Sequence, residues 1–335
     1  MKLRNLAILL LVFPLAGCHG PQSILNPGGP AASSLSQVGW VTFILFSVVA
    51  FITLVILLWA ILRSHGSLDT HLPWTEGGGI RWILIGGFII PVIVLCGIFV
   101  FALVRTSHFP LEITKNIHPE IEVIGHQWWW EVHYIGGPLD THFITANEIH
   151  IPVGRPIDFE LKSADVLHSF WVPGLHGKME MIPGKPNFIR MIATRAGNFP
   201  GQCSMYCGAQ HAHMRLLVVA QPPDEYKAWL AQQLKPAAQP QGVEAVLGRS
   251  VFLHAECALC HTIRGTGAGG KVAPDLTHLA SRQMIASDSY ANDTANLEAW
   301  VTHAQSLKPE CEMPDITAFT GNDLVALVTY LQQLK

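Results

Sequence analysis

The densest chemistry in the chain lies in Cys203-Ser204-Met205-Tyr206-Cys207-Gly208-Ala209-Gln210-His211-Ala212-His213-Met214. Two thiols, imidazole nitrogens and thioethers fall in one short stretch. Soft sulfur and imidazole donors select copper or zinc over magnesium or calcium, and a long, weak Met ligand favours copper. Zinc in a closed tetrahedral site has no use for Met. A structural zinc site and a disulfide are the competing readings of the two close cysteines. A further imidazole must come from elsewhere, and His168, in Asp165-Val166-Leu167-His168-Ser169-Phe170, is placed at the close of an expected strand. The second chemical motif is Cys257-Ala258-Leu259-Cys260-His261. C-x-x-C-H is a haem attachment pattern: the thiols form thioethers to the haem vinyls and His261 becomes the proximal axial ligand. A redox dithiol is the alternative, disfavoured by the adjacent histidine and by the exported setting argued below.

Both motifs need scaffolds, and the sequence offers two different ones. Between about residues 118 and 221, Ile121–Ile124, Ile149–Ile151 and Ile157–Leu161 alternate apolar and polar side chains, and Leu216–Ala220 is a short apolar run. Turn signals such as Gly136-Gly137-Pro138 and Pro183-Gly184 separate them. Short strands of this kind read as an all-β sandwich or barrel. Residues 243–335 return to helical periodicity, and Asp323–Leu334 is expected to pack across the first helix of that domain. A helix over Asp224–Leu234 and the Pro/Ala stretch Lys235–Gly242 join the two, in a segment 222–242 that leaves their separation open.

The N-terminal third is of another kind. Half of the 335 residues are hydrophobic and only 13% are charged, which points to membrane segments. Residues 38–62 lack any charged side chain, as do residues 82–104 between Arg81 and Arg105. Each run exceeds the roughly 20 residues that cross a hydrocarbon core. Two transmembrane helices are expected, over 38–62 and 81–105, joined by a cytoplasmic loop 63–80, with Trp40, Trp59, Trp74 and Trp82 near the interfaces. Pro91 is expected to break a hydrogen bond in the second. Cys96 reads as a small apolar side chain in that helix. Before them, Lys2 and Arg4 precede a short apolar stretch ending in Leu15-Ala16-Gly17-Cys18, which resembles a bacterial lipoprotein cleavage box. That resemblance implies loss of residues 1–17 and lipidation of Cys18, followed by an exported segment 18–37. An exported N-terminus and two spans place both metal domains on the outer side of a bacterial plasma membrane. The net charge of −3 gives no sign of nucleic acid as a partner.

With His168 upstream, Cys203-x3-Cys207-x3-His211-x2-Met214 resembles the CuA centre of cytochrome c oxidase subunit II, and Gly125-His126-Gln127-Trp128-Trp129-Trp130 resembles that family's aromatic segment. The likeness spans residues 35–221. It implies a two-helix hairpin followed by an all-β cupredoxin-like Greek-key barrel, here residues 106–221, with a fused all-α class I cytochrome c domain, residues 243–335. It implies two coppers bridged by Cys203 and Cys207. One would also take His168 and Met214, the other His211 and the backbone carbonyl of Met205. It further implies Trp128 as the point where electrons arrive from a cytochrome c; an ordinary packed tryptophan is the competing reading. The family usually carries Glu at the position of Met205. A thioether cannot replace a carboxylate on magnesium, so the family's magnesium site is not expected here. Glu76 could stand for a carboxylate at a proton-channel mouth, but its spacing to Trp82 and Pro91 fits a solvated loop residue better.

In the helical domain, Lys308-Pro309-Glu310-Cys311-Glu312-Met313-Pro314 matches the Met-Pro segment of small c-type cytochromes, which makes Met313 the expected second axial ligand and Met284 the competing thioether. Pro274-Asp275-Leu276-Thr277 resembles the segment that buttresses the proximal histidine, and Cys311 is expected as a free thiol. A Met/His pair raises the haem potential. Taken together, the resemblance implies the subunit of a membrane oxidase that receives electrons through its own haem c and a dinuclear copper centre. It passes them through His211 to the haem of subunit I, where oxygen is reduced with proton translocation. The partners are then subunit I, the other oxidase subunits, a cytochrome c or other donor, and membrane lipid. Two other functions fit parts of the sequence: a component of a nitric or nitrous oxide reductase using the same copper centre, and a tethered electron-transfer or copper-delivery protein without an enzymatic partner.

Overall fold

A computed structural model describes residues 20, 22–63, 78–107, 118–319 and 321–335. Cys18, Trp74 and Glu76 lie outside the described residues, as does the signal segment 1–17. The described residues divide into two compact units, with one boundary after Ala32 and the other between Ser107 and His118.

Two apolar helices, α1 (Pro30–Arg63) and α2 (Gly79–Ser107), form the smaller unit, which takes α1 from Ser33 onward. Both run beyond their expected ends. α1 opens on Pro30, whose missing N–H is no loss in a first helical turn. The turn Ile85–Ile89 of α2 is π-helical. Pro91 follows at once. It cannot donate to the carbonyl four residues back and its ring crowds that carbonyl, so a widened turn is where the helix accommodates it. Apolar side chains point outward along both helices: Phe43, Leu62 and Trp82 are 65%, 74% and 77% exposed. Apolar surface of this extent on helices of this length belongs in lipid, and the chain is membrane-anchored.

In the larger unit, ten strands form two five-stranded sheets. The strands are β1 (Ile121–His126), β2 (Trp129–Tyr134), β3 (Phe143–Ala146), β4 (Glu148–Pro152), β5 (Ile157–Ser163), β6 (His168–Trp171), β7 (Met179–Met181), β8 (Asn187–Met191), β9 (Gly197–Cys203) and β10 (Arg215–Gln221). The sheet orders are β3-β2-β1-β5-β8 and β4-β10-β9-β6-β7. β1 pairs with β5, and β4 with β10, in parallel; the remaining pairs are antiparallel. The alternation in the sequence is the alternation of faces. Ile121, Val123, Phe159 and Leu161 turn inward, and with Trp130, Phe170 and Val218 they fill a cupredoxin-like core.

The outer face of the first sheet carries a charged network. His133 contacts Glu131 at 2.6 Å and Glu122 at 3.1 Å; Lys162 pairs with Glu122 and Glu160. Burial opposes a charged His133, but its hydrogen bonds to Glu122 and Glu131 outweigh burial and raise its pKa to about 9. The hydrogen bond with His133 leads the causes that hold Glu122 down to about 2. His133 therefore stabilises the fold fully below its unfolded pKa of about 6.5 and loses that contribution as pH rises through about 9. In His133→Gln, the fall in melting temperature across that alkaline window should flatten, as a pH series of thermal melts would show. An unchanged slope would contradict the pairing.

α3 (Pro223–Gln233) leaves the barrel and lays Trp229 on it, stacked 4.1 Å from the His150 ring. The Pro/Ala stretch that follows is pinned. Ala237 N donates to the Arg264 carbonyl at 2.9 Å, and Gln241 N donates to Gln333 Oε1 at 2.7 Å. The separation that the sequence left open is thus fixed along one side of the helical domain.

That domain contains α4 (Val243–His254), α5 (Cys257–Cys260), the short strands β11 (Met284–Ile285) and β12 (Tyr290–Ala291), α6 (Thr294–Thr302), α7 (Ala304–Leu307) and α8 (Asn322–Leu331). As the periodicity implied, α8 crosses α4. The helices touch at Gly248, where a Cβ would stand 1.9 Å from the Ala326 carbonyl oxygen. Backbone at that distance cannot yield without separating the helices. Gly248→Val should destabilise the helical domain by about 1–3 kcal/mol through overpacking, read as a shift in its denaturant midpoint. A variant of wild-type stability would show that the helices do not meet there.

Candidate metal centre and haem cavity

Two strand ends and one loop assemble the sulfur and imidazole groups. β6 opens at His168, one correction to the expected strand end. After Ser163 the chain turns on its own side chains: Ser163 Oγ donates to the Val166 carbonyl at 2.5 Å and Val166 N donates to Asp165 Oδ1 at 2.6 Å. Ser, Asp and Asn compete with the ladder in this way, and the new strand begins beyond them. β9 delivers Cys203 at its end, and the loop 204–214 curls back before β10.

The imidazole of His168 and the thiols of Cys203 and Cys207 bring their ligand atoms within 4.8 Å of one another. Cys203 Sγ lies 3.9 Å from His168 Nδ1 and 3.1 Å from the Met205 carbonyl oxygen. Cys207 Sγ lies 3.6 Å from His211 Nδ1 and 3.8 Å from Met214 Sδ. All six groups singled out in the sequence are thus linked through the two thiols. His168, Cys203, Cys207 and Met214 are buried. The Cys207 thiol beside it, against the opposing effect of burial, holds the Cys203 thiol well below the usual thiol range. The neighbouring Cys203 pushes Cys207 up in turn. One of the pair ionises only at the expense of the other, so both would be thiolates only with a cation between them, and the set of two sulfurs, two imidazole nitrogens, a thioether and a carbonyl fits copper.

Asp165 completes the arrangement and was not singled out in the sequence. Its Oδ1 lies 2.7 Å from His168 Nε2, leaving Nδ1 to face Cys203. A carboxylate behind a metal-binding imidazole fixes its ring and raises its basicity. An aspartate three residues before a candidate ligand was the available signal.

The aromatic segment packs against the loop from one side. Gln127 Nε2 and Trp128 Nε1 both donate to the Cys207 carbonyl, at 2.7 and 3.0 Å. Gly208, at φ +116°, makes this approach possible: a Cβ there would lie 2.9 Å from the Trp128 ring. Of the three tryptophans, Trp130 lies in the barrel core, Trp129 stacks on His126, and Trp128 is 7% exposed. What covers Trp128 is the helical domain of the same chain: Ser287 Oγ and Lys308 Nζ donate to its carbonyl at 2.8 and 2.6 Å.

On the other side of Trp128 lies a largely apolar cavity. Cys257, Cys260 and His261 line it, as do both thioethers considered above, Met313 and Met284. His261 Nδ1 lies 2.7 Å from the Pro274 carbonyl, which leaves Nε2 for a metal and matches the expected buttress. Cys311 is free and its Sγ lies 3.4 Å from the Met313 carbonyl. Arg282, on the cavity wall, donates to the Asp275 carbonyl and, at 3.3 Å, to Thr145 Oγ1, while its buried Nε has no hydrogen-bond partner among the described residues. An orphaned guanidinium donor in an apolar cavity is costly unless an anion meets it. A haem brings an apolar macrocycle and carboxylates, so the residues present fit that group.

Comparison with known proteins agrees with both halves. The family described as "Cytochrome C oxidase subunit II, periplasmic domain" matches residues 137–221, and the family "Cytochrome c" matches residues 245–335. The cytochrome c oxidase subunit 2 of Alkalihalophilus pseudofirmus is 34% identical over 99% of this chain and 97% of its own length. That of Bacillus subtilis is 27% identical over 99% and 98%. A quinol oxidase subunit 2 from Bacillus cereus is 28% identical over 75% of this chain and 89% of its own. A membrane-anchored β domain with a copper-type donor loop, continued by a helical domain with a haem-type cavity, thus has a full-length counterpart, and the chain belongs to the cytochrome c oxidase subunit II family, a component of the haem–copper oxidase complex.

Proposed function

We propose that the chain is the electron-receiving subunit of an oxygen-reducing oxidase, holding two coppers at Cys203, Cys207, His168, His211, Met214 and the Met205 carbonyl, and one haem c through Cys257, Cys260, His261 and Met313. Copper and haem at these places supply one-electron chemistry to the complex. The observation that carries the reading is the position of Trp128. Trp128 lines the cavity of Cys257, Cys260 and His261, its carbonyl accepts from Ser287 and Lys308 of the helical domain, and its indole N–H reaches the Cys207 carbonyl. Trp128 is therefore the link between the two sites of one chain, with the external donor, a cytochrome c, delivering electrons to the helical domain. Arg282, whose Nε has no partner among the described residues, would hold a haem carboxylate, Asp165 orients His168, and burial keeps water from the sulfur pair. His211 is only partly buried, which suits it to hand electrons to the haem of subunit I.

The copper and haem donor sets favour a cytochrome donor over the quinol of the Bacillus cereus relative. Lipidation of Cys18 and an outward-facing pair of metal domains on the bacterial plasma membrane complete the reading. The complex purified from membranes should consume oxygen with reduced cytochrome c as donor and leave nitric and nitrous oxide untouched. Consumption of a nitrogen oxide without oxygen uptake would refute the oxidase reading, and isolation of the chain without any multi-helix haem protein would favour a bare tether.

A further inference from the structure

One buried ammonium group sits where the copper loop, Trp128 and the Met313 segment meet. Lys308 is 3% exposed, and its Nζ has three oxygen acceptors: the Trp128 carbonyl at 2.6 Å, Ser287 Oγ at 3.0 Å and the His213 carbonyl at 3.1 Å. A lysine ammonium has three donors and no acceptor, so three oxygens satisfy the charged form and would leave a neutral amine's lone pair facing oxygen. Burial pushes the group down to about 7, a cost this fold tolerates for a lysine that touches no carboxylate. Each acceptor comes from a different part of the chain. Trp128 belongs to the aromatic segment. His213 lies in the copper loop between His211 and Met214. Ser287 is at the tip of the β11–β12 hairpin, and Lys308 itself begins the segment that carries Met313.

The hairpin tip shows how far the fold goes to make this contact. Ala286, Ser287 and Asp288 all hold positive φ, at 52°, 59° and 58°. Successive non-glycine residues in the left-handed region are strained and persist where surrounding contacts over-determine them. Here the contacts are interdomain: Ser287 Oγ donates to the Trp128 carbonyl, Arg215 N donates to the Ser287 carbonyl at 3.3 Å, and Gln283 N donates to Glu148 Oε2 at 2.8 Å.

We infer that Lys308 is a positioning residue for electron transfer within the chain: its ammonium, with Ser287, latches the helical domain onto Trp128 and the copper loop and brings positive charge to that loop at the His213 carbonyl. This deepens the function proposed above and rests on it. The latch holds Trp128 with its indole N–H on the Cys207 carbonyl, and positive charge at the copper loop raises the copper potential. Neither effect requires Lys308 to touch a metal or a ligand side chain.

The test uses the intact oxidase with wild-type chain, Lys308→Met and Ser287→Ala. Three quantities are read: the rate at which an external donor reduces the haem, the rate of the internal haem-to-copper phase, and the copper midpoint potential. Since displacing reacting groups by about 1 Å can cost up to 10²-fold, Lys308→Met should slow the internal phase by about tenfold or more and leave the external rate unchanged. The copper potential should fall with the loss of the ammonium, a change that Ser287→Ala, which loosens the same contact without removing a charge, should not show. Ser287→Ala should slow the internal phase less, with the potential retained, and it decides the matter should Lys308→Met fail to assemble. Wild-type internal rates in the variants, equal slowing of both rates, or an unmoved copper potential in Lys308→Met would overturn the latch. Absence of an internal phase in the wild-type oxidase would instead count against the proposed function.

Discussion

Cys207→Ser should remove the shared copper signal and lower turnover with reduced cytochrome c by more than about 100-fold, because even partners behind a metal ligand are worth 10- to 100-fold. The thiol lies between two of the other donors, 3.6 Å from His211 Nδ1 and 3.8 Å from Met214 Sδ. A serine hydroxyl stays protonated at neutral pH and is a hard donor, so it cannot bridge soft metal ions. The backbone is untouched. The Cys207 carbonyl still accepts from Gln127 and Trp128, and the haem domain keeps its docking. Copper per chain should therefore fall while the haem spectrum stays as in wild type. Metal analysis, electron paramagnetic resonance and oxygen uptake on the purified complex measure the three effects separately. Retention of two coppers with the signal unchanged would remove Cys207 from the centre.

Trp128→Leu should act between the two sites rather than at either. Leucine fills much of the buried volume but lacks the ring that packs on Gly208 and the N–H that reaches Cys207. Copper content and haem spectrum should be retained. Internal transfer should slow by on the order of 10²-fold, the cost of losing close placement of reacting groups, while reduction of the haem by an external donor should keep its rate. Trp128→Phe keeps a ring without the N–H and should fall between. Were external reduction of the haem to collapse instead, the indole would be the landing point for the outside donor, as the family resemblance alone implied. Its 7% exposure beneath Ser287 and Lys308 argues against that position.

What the sequence disclosed follows from distance along the chain. Cys203 to Met214 are neighbours from one strand end through one loop, and Cys257 to His261 lie along one short helix and its cap, so residue type and spacing were enough to single out both groups. The strands of the barrel were legible because one inward face demands period-two alternation, and the anchor helices because lipid demands long uncharged runs. His168 was found by type, yet placed at the wrong end of its strand, since the side-chain bonds of Ser163 and Asp165 that interrupt the ladder leave no mark in hydrophobic periodicity. The interface was the least legible part. Lys308 and Trp128 are 180 residues apart, and Ser287 and Trp128 are 159 apart. A lysine in a segment rich in Pro and Glu reads as a solvated charge. Only the fold brings three backbone and hydroxyl oxygens around it. The left-handed tip at Ala286, Ser287 and Asp288 contains no glycine or asparagine to announce it.

The most direct test of the central claim, that a sulfur-bridged copper pair and a tethered haem share this chain, is electron paramagnetic resonance of the intact protein with copper and iron counted on the same sample. The account requires a hyperfine pattern spread over two coppers, with two copper ions for each haem iron, and iron that stays with the polypeptide under denaturation. A one-copper spectrum, or haem that dissociates when the chain unfolds, would contradict it.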